Sequence, residues 1–182
     1  MFKYVTDVSN IYHNIITTFI EEKKVAIDAT LGNGHDCDFL SDLFEKVYAF
    51  DIQKEAVNSY NEKNKRNVNV ILDSHENFTT YIKEDVQCIV YNLGYLPGNN
   101  KHITTVAEST LKSINLGLDL LDANGIMIIA LYSGHEEGKR EKNEVLNLVE
   151  SLPKNKYGVL HTEFINRAKN APSLVVIEKK FK

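Results

Sequence analysis

The residues best suited to chemistry stand in polar clusters, each directly after an apolar run. Gly32, Asn33, Gly34 and Asp36 follow Val25 to Asp28; Asp51 and Gln53 follow Val47 to Phe50; Ser74 and His75 follow Val68 to Leu72. Asn92, Gly94 and Tyr95 follow Val86 to Tyr91, and a last cluster, Tyr132 to Gly138 with His135 in it, follows Ile126 to Leu131. Gly32 and Gly34 carry no Cβ, so the backbone can turn tightly there and approach a ligand. A strand, glycine turn and helix can hold a dinucleotide, a phosphate or S-adenosylmethionine. A dinucleotide fingerprint wants Gly or Ala three places after the second glycine, where this sequence has Cys37. Asp36 and Asp38 at the helix start would repel a pyrophosphate and suit a cationic sulfonium with an ammonium tail. That places S-adenosylmethionine ahead of a nicotinamide cofactor.

Asp51 lies 17 residues after Gly34, near the spacing at which an acid at the end of a second strand accepts both hydroxyls of a ribose. It can also cap the following helix. Asp73 and Ser74 have the same two readings, a ligand site at a strand's carboxyl end or a helix cap. From Asn92 to His102 run eleven residues of turn chemistry, long for a plain connection. An Asn carbonyl can hold an amine there, and the Tyr95 ring can cover it.

Strands must position these clusters, and the pattern supplies them in alternation with helices. A helix is expected over residues 9–22, capped by Ser9, with Ile11, Ile15, Ile16, Phe19 and Ile20 on one face. Further helices are expected from Asp36 to about Phe44 and over 52–65, 76–83, 105–121 and 139–152, the fourth opened by a capping box from Thr105 to Glu108. Asp122 to Gly125 reads as a turn, and Tyr157 to Phe164 with Leu174 to Lys180 as an antiparallel pair at the sheet's edge. The 182 residues make one domain, 1–182, without repeats or low-complexity tracts.

The formal charge of −4 argues against a strongly nucleic-acid-like surface, but it divides into −6 over residues 1–91 and +2 over 92–182. From Lys139 to Lys182 the balance is +5. Such a face can hold a phosphate backbone locally, or be a set of solvated lysines. Cys37 and Cys88 read as reduced, unreactive thiols, and the six histidines lack a paired ligand spacing, so no metal site is expected. Ile11 to Ile20 is broken by His13, Asn14, Thr17 and Thr18, which excludes a membrane span there and points to a cytoplasmic protein.

Taken together, the motifs resemble those of class I S-adenosylmethionine-dependent methyltransferases over nearly all of the chain. More narrowly, the sequence resembles the small bacterial family once labelled rRNA methylase and now associated with the tRNA 5-(aminomethyl)-2-thiouridine methyltransferase. The stretches that carry this are Asp28 to Asp36, Tyr48 to Gln53, Ser74-His75, Asn92 to Gly98, Ser133 to His135, Glu137 to Lys139 and Phe164 to Asn166. The resemblance implies a Rossmann-like α/β fold: a seven-stranded, mostly parallel sheet with the last strand antiparallel and helices on both faces. It implies methyl transfer to the primary amine of a wobble uridine, with an anticodon stem-loop as partner and no membrane; a homodimer is compatible with it. Carried over by position, Asp28, Gly32, Asn33, Gly34 and Asp36 hold the turn and the methionine part of the cofactor, Asp51 and Gln53 the ribose and adenine side, and Ser74 and His75 the adenine region. Asn92 to Tyr95 resembles the Asn/Asp-Pro-Pro-Tyr loop of amine methyltransferases, with Leu93 and Gly94 in place of the prolines.

The expected reaction is an in-line displacement that needs alignment and a deprotonated amine. Asn92 orients the amine, and His135, or less favourably Tyr95, accepts its proton. Gly94, Lys101 and Tyr132 are expected on the substrate side, with Lys139, Arg140, Arg167 and Lys169 as phosphate contacts.

Overall fold

The computed structural model describes residues 2–94 and 105–180. The chain runs α1 (Val8–Phe19), β1 (Val25–Asp28), α2 (His35–Leu43), β2 (Lys46–Asp51), α3 (Lys54–Asn61) and β3 (Val68–Leu72). A 3-10 turn (His75–Asn77) and the short α4 (Phe78–Tyr81) follow, then β4 (Val86–Asn92), α5 (Ala107–Leu120), β5 (Leu121–Leu131), α6 (Glu136–Glu150), β6 (Tyr157–Thr162) and β7 (Ser173–Lys179). The strands form one sheet in the order β3-β2-β1-β4-β5-β7-β6. Strands β1 to β5 pair in parallel, and β7 runs antiparallel between β5 and β6.

Period-2 alternation divides the core into two layers. Ile27, Phe50, Ile89, Tyr91, Met127 and Ile129 face α4, α5 and α6, where Phe78, Ile114, Leu118, Val145 and Val149 meet them. Their neighbours Ala26, Val47, Ala49, Cys88, Val90 and Ile128 face α1, α2 and α3, against Tyr12, Ile16, Leu40, Val57 and Tyr60. Burial holds the thiols of Cys37 and Cys88 protonated, well above the ordinary range.

Several boundaries differ from the pattern-based expectation, each for a local reason. The cap of α1 is Asp7, not Ser9: the Asn10 N–H donates to the Asp7 carboxylate at 2.9 Å. The inward stripe of α1 is Val8, Tyr12 and Ile16, while Phe19 is 66 % exposed. The expected helix over 52–65 ends at Asn61, and that over 76–83 shrinks to the 3-10 turn and one turn of α4. The Asp122 to Gly125 turn is an excursion within β5, whose register with β4 jumps from Val86–Leu121 to Cys88–Ile126. Asn124 takes φ 62° there, a conformation Asn tolerates better than most residues. Thr105 opens no capping box; α5 begins after Val106, and Thr105 bonds elsewhere.

Candidate active site

In an open α/β sheet a ligand sits at the carboxyl ends of the strands, where the strand order reverses. That reversal falls between β1 and β4, and a cleft of about 490 Å³ opens there, a size that suits a cofactor plus a small reacting group. Its wall is built first from the turn after β1. Gly32 and Gly34 have φ of 49° and 78°, which only glycine adopts readily. A Cβ on Gly34 would stand 2.3 Å from the Tyr60 ring, so the helix start packs against α3 without room for a side chain.

Asp51 pins this turn from the neighbouring strand. The Gly32 N–H donates to its Oδ2 at 2.9 Å and the Gln53 N–H to its Oδ1 at 2.8 Å. Each oxygen keeps acceptor capacity for a hydroxyl pair. Asp51 is not the cap of α3, which is Gln53; it takes the Gln53 N–H just before the helix begins.

Asp36 is the most heavily bonded group of the site. It is buried, and its Oδ1 accepts from the Tyr12 hydroxyl at 2.7 Å and lies 2.8 Å from His13 Nε2. Its Oδ2 accepts from the Asn92 carboxamide at 3.2 Å. A carboxylate only accepts, so the amide nitrogen of Asn92 faces Asp36 and its carbonyl oxygen is left for another donor. The Asn92 backbone N–H donates to Thr30 Oγ1 at 2.8 Å, which fixes the end of β4 against the turn after β1. Tyr12, His13 and Thr30 were not singled out from sequence; the spacing of Val8, Tyr12 and Ile16 on one helical stripe is the signal that could have found the first.

Asp28 is fully buried and does not line the cleft. The Thr30 N–H donates to its Oδ1 at 3.1 Å, while Oδ2 has no hydrogen-bond partner. Burial first, and the nearby Asp36 carboxylate second, raise its pKa well above the usual carboxylate range. A carboxyl that holds its proton more tightly when folded contributes stability fully below its unfolded pKa and loses it as pH rises towards the folded one. Asp28→Asn keeps an acceptor for Thr30 and cannot ionise. Its melting temperature at pH 8 is expected to exceed wild type by about 3 °C or more, with the difference closing towards pH 4. Melts from pH 4 to pH 8 check this, and a gain independent of pH would reject it.

His75, expected on the adenine side, lines the cleft and is buried. Its Nδ1 is 3.0 Å from the Ala29 carbonyl, so that nitrogen is the donor and Nε2 the acceptor. Nε2 has no hydrogen-bond partner, and burial lowers the ring's pKa, so His75 offers a neutral acceptor at the cleft wall. Ser74 lines the cleft and also caps the 3-10 turn through the Glu76 N–H.

His135 and Tyr132 line the opposite wall. The Gly138 N–H donates to His135 Nδ1 at 3.1 Å, so the ring caps α6. In the neutral ring the proton then sits on Nε2. The sequence did not foretell this capping role. Asn33, Gly34, Gln53 and Gly94 also line the cleft, as do Thr105, Ser109 and Asn170, which sequence reasoning missed. Tyr95 and Lys101 lie outside the described residues.

Three of the expected phosphate contacts have partners within the chain. Lys139 pairs with Glu136 at 2.6 Å; Arg140 pairs with Glu108 and Glu137. Arg167 lies over the Phe164 ring and donates to the Thr6 carbonyl at 2.7 Å, and Lys169 is exposed. Among the described residues lining the cleft, Asp36, Asp51 and Asp73 are acids and none is Lys or Arg. Among these residues a pyrophosphate finds no countercharge, whereas a sulfonium and an ammonium do. The donor set therefore fits S-adenosylmethionine: acids for its cationic end, Asp51 for a ribose diol, and a buried neutral acceptor at His75. Among the described residues no cluster of His, Cys, Asp and Glu could hold a metal ion, and no helix is long and apolar enough to cross a membrane.

The sequence profile of the family described as "Putative rRNA methylase" matches residues 47–178. A Clostridium thermocellum protein of that same description is 34% identical, with a TM-score of 0.91 over 96% of this chain and 98% of that one. A Streptococcus mutans methyltransferase structure in complex with SAH is 36% identical, with a TM-score of 0.89 over 96% and 99% of the two chains. The chloroplastic tRNA (mnm(5)s(2)U34)-methyltransferase of Arabidopsis thaliana is 29% identical over 94% of this chain and 69% of its own length.

Proposed function

The chain belongs to the rRNA methylase family of class I S-adenosylmethionine-dependent methyltransferases, and from that membership we propose that it methylates the primary amine of 5-aminomethyl-(2-thio)uridine at the tRNA wobble position. The observation that carries the reading is the placement of Asn92. It ends β4 at the strand reversal, its amide nitrogen is held by Asp36, and its carbonyl oxygen is the acceptor left at the acid-lined cleft. An aminomethyl group is a small donor that such a carbonyl can orient. The likeness to the Arabidopsis wobble-uridine enzyme supports this choice of amine.

The cofactor supplies an electrophilic methyl group on a positively charged sulfur. The chain's own residues do the rest by positioning, which for an in-line displacement is most of what is required. Asp36 receives the ammonium end, fixed in place by Tyr12 and His13. Asp51 receives the ribose hydroxyls while holding the Gly32 turn. Asn92 directs the amine lone pair along the reaction axis. The amine must lose its proton before attack; His135, the candidate to accept it, lines the cleft with its Nδ1 taking the Gly138 N–H. An anticodon loop presents unstacked bases, so no duplex need open to reach the cleft. Exposed Lys169 and the surplus of positive charge from Lys139 onward favour contact with its phosphates.

The test is transfer of labelled methyl groups from S-adenosylmethionine to bulk tRNA from cells lacking this protein, followed by nucleoside mass analysis. Label in aminomethyl-uridine is the expected result. Label in ribosomal RNA and none in tRNA would overturn the substrate assignment.

A further inference from the structure

We propose that Thr105 and Glu141 form a clasp that positions the Asn92 end of the cleft, with Glu141 acting through Thr105. Glu141 sits on α6 at 2 % exposure, in the inward stripe that continues through Val145 and Val149. Its Oε2 accepts from the Thr105 hydroxyl at 2.7 Å and its Oε1 from the Thr110 hydroxyl at 2.6 Å. Thr105 Oγ1 in turn accepts from the Gly94 N–H at 2.9 Å, and the Thr105 N–H donates to the Gly94 carbonyl at 3.0 Å. Both backbone groups of Gly94 are thereby tied to Thr105, eleven residues away.

Gly94 has φ 132° and stands two residues after Asn92. It and Thr105 both line the cleft, whereas Glu141 does not. A carboxyl in this place is poor value for stability alone. Burial raises its pKa, and an apolar residue in the stripe would fold at least as well. What the carboxyl adds is direction. It accepts two hydroxyl protons at once, which turns the Thr105 lone pair towards the Gly94 N–H. Gln at 141 has one acceptor oxygen and must present its amide nitrogen to one of the two threonines. Thr110 and the neighbouring Glu137, which accepts from the Ala107 N–H at 3.4 Å, hold α5 and α6 together around this point.

This inference rests on the reading of Asn92 as the amine-orienting group, and the experiment separates the two. The full chain and its Thr105→Val, Thr105→Ser and Glu141→Gln variants are assayed for methyl transfer to the unmodified tRNA, for SAH affinity and for melting temperature. Thr105→Val and Glu141→Gln are expected to lower kcat about tenfold or more, the effect of one misdirected charge-assisted bond, with SAH affinity within about twofold of wild type. Thr105→Ser, which keeps the hydroxyl, is expected to recover kcat to within about threefold. A Thr105→Val enzyme with wild-type kcat, a loss that Ser does not rescue, or a loss matched in SAH affinity would each overturn the clasp. A wild-type protein that binds SAH and labels no tRNA overturns the substrate reading, and the clasp's role with it.

Discussion

Replacing Asn92 by Ala is expected to lower the rate of methyl transfer about a thousandfold while leaving SAH affinity within about threefold of wild type. The backbone of Asn92 pairs with Ala130 across the sheet and donates to Thr30, and Ala keeps both contacts. What disappears is the carboxamide, whose nitrogen rests on Asp36 and whose oxygen orients the amine in the proposed reaction. Asp36 retains Tyr12 and His13, so the proposed seat for the cofactor's cationic end stays in place. Single-turnover transfer at saturating cofactor reads the chemical step without product release. A rate within about tenfold of wild type would remove Asn92 from the reaction.

The second large effect is on the cofactor. Asp51→Ala should weaken SAH binding about a hundredfold or more, because a carboxylate accepting two hydroxyls contributes two charge-assisted bonds. The same change releases the Gly32 and Gln53 N–H groups, so the glycine turn loses its tie to β2 and the apo protein melts lower. Asp51→Asn keeps one acceptor oxygen and is expected between the two. Calorimetric titration with SAH distinguishes the roles: a lower melting point with affinity within about threefold would leave Asp51 as a turn-holder only.

Much of this architecture is legible before any coordinates. Runs such as Val86 to Tyr91 and Ile126 to Leu131 are too apolar and too short for anything but buried strands between helices, and the polar residues after them fall at strand ends by geometry. The seven strands and the antiparallel β7 follow the family resemblance. What escapes is contact between distant elements. Thr105 looks like a cap because Glu108 stands three residues on, yet Glu108 pairs with Arg140 and Thr105 with Glu141. Glu141 itself sits in the charged run Glu136 to Lys142, which reads as a solvated face; its spacing of four from Val145 was the sign that it turns inward. His135 looks like a base because it is a histidine at a strand end; that it also caps α6 emerges only from the approach of the Gly138 N–H.

The position of β1 has a bearing on how the protein is made. Its partners are β2 on one side and β4 on the other, and β4 in turn needs β5, which is itself flanked by β7 at residues 173–179. The glycine turn leaves the ribosome early, but Asn92 and the cleft's far wall come much later, and the last strand later still. A ligand can stabilise a nascent chain only through a cleft that exists. Here the wall that completes it hangs on contacts of long sequence separation, which form slowly. Binding therefore cannot guide the first half of the chain during synthesis. Residues 1–91 carry a surplus of acids, whose mutual repulsion disfavours association of those segments before the sheet is complete.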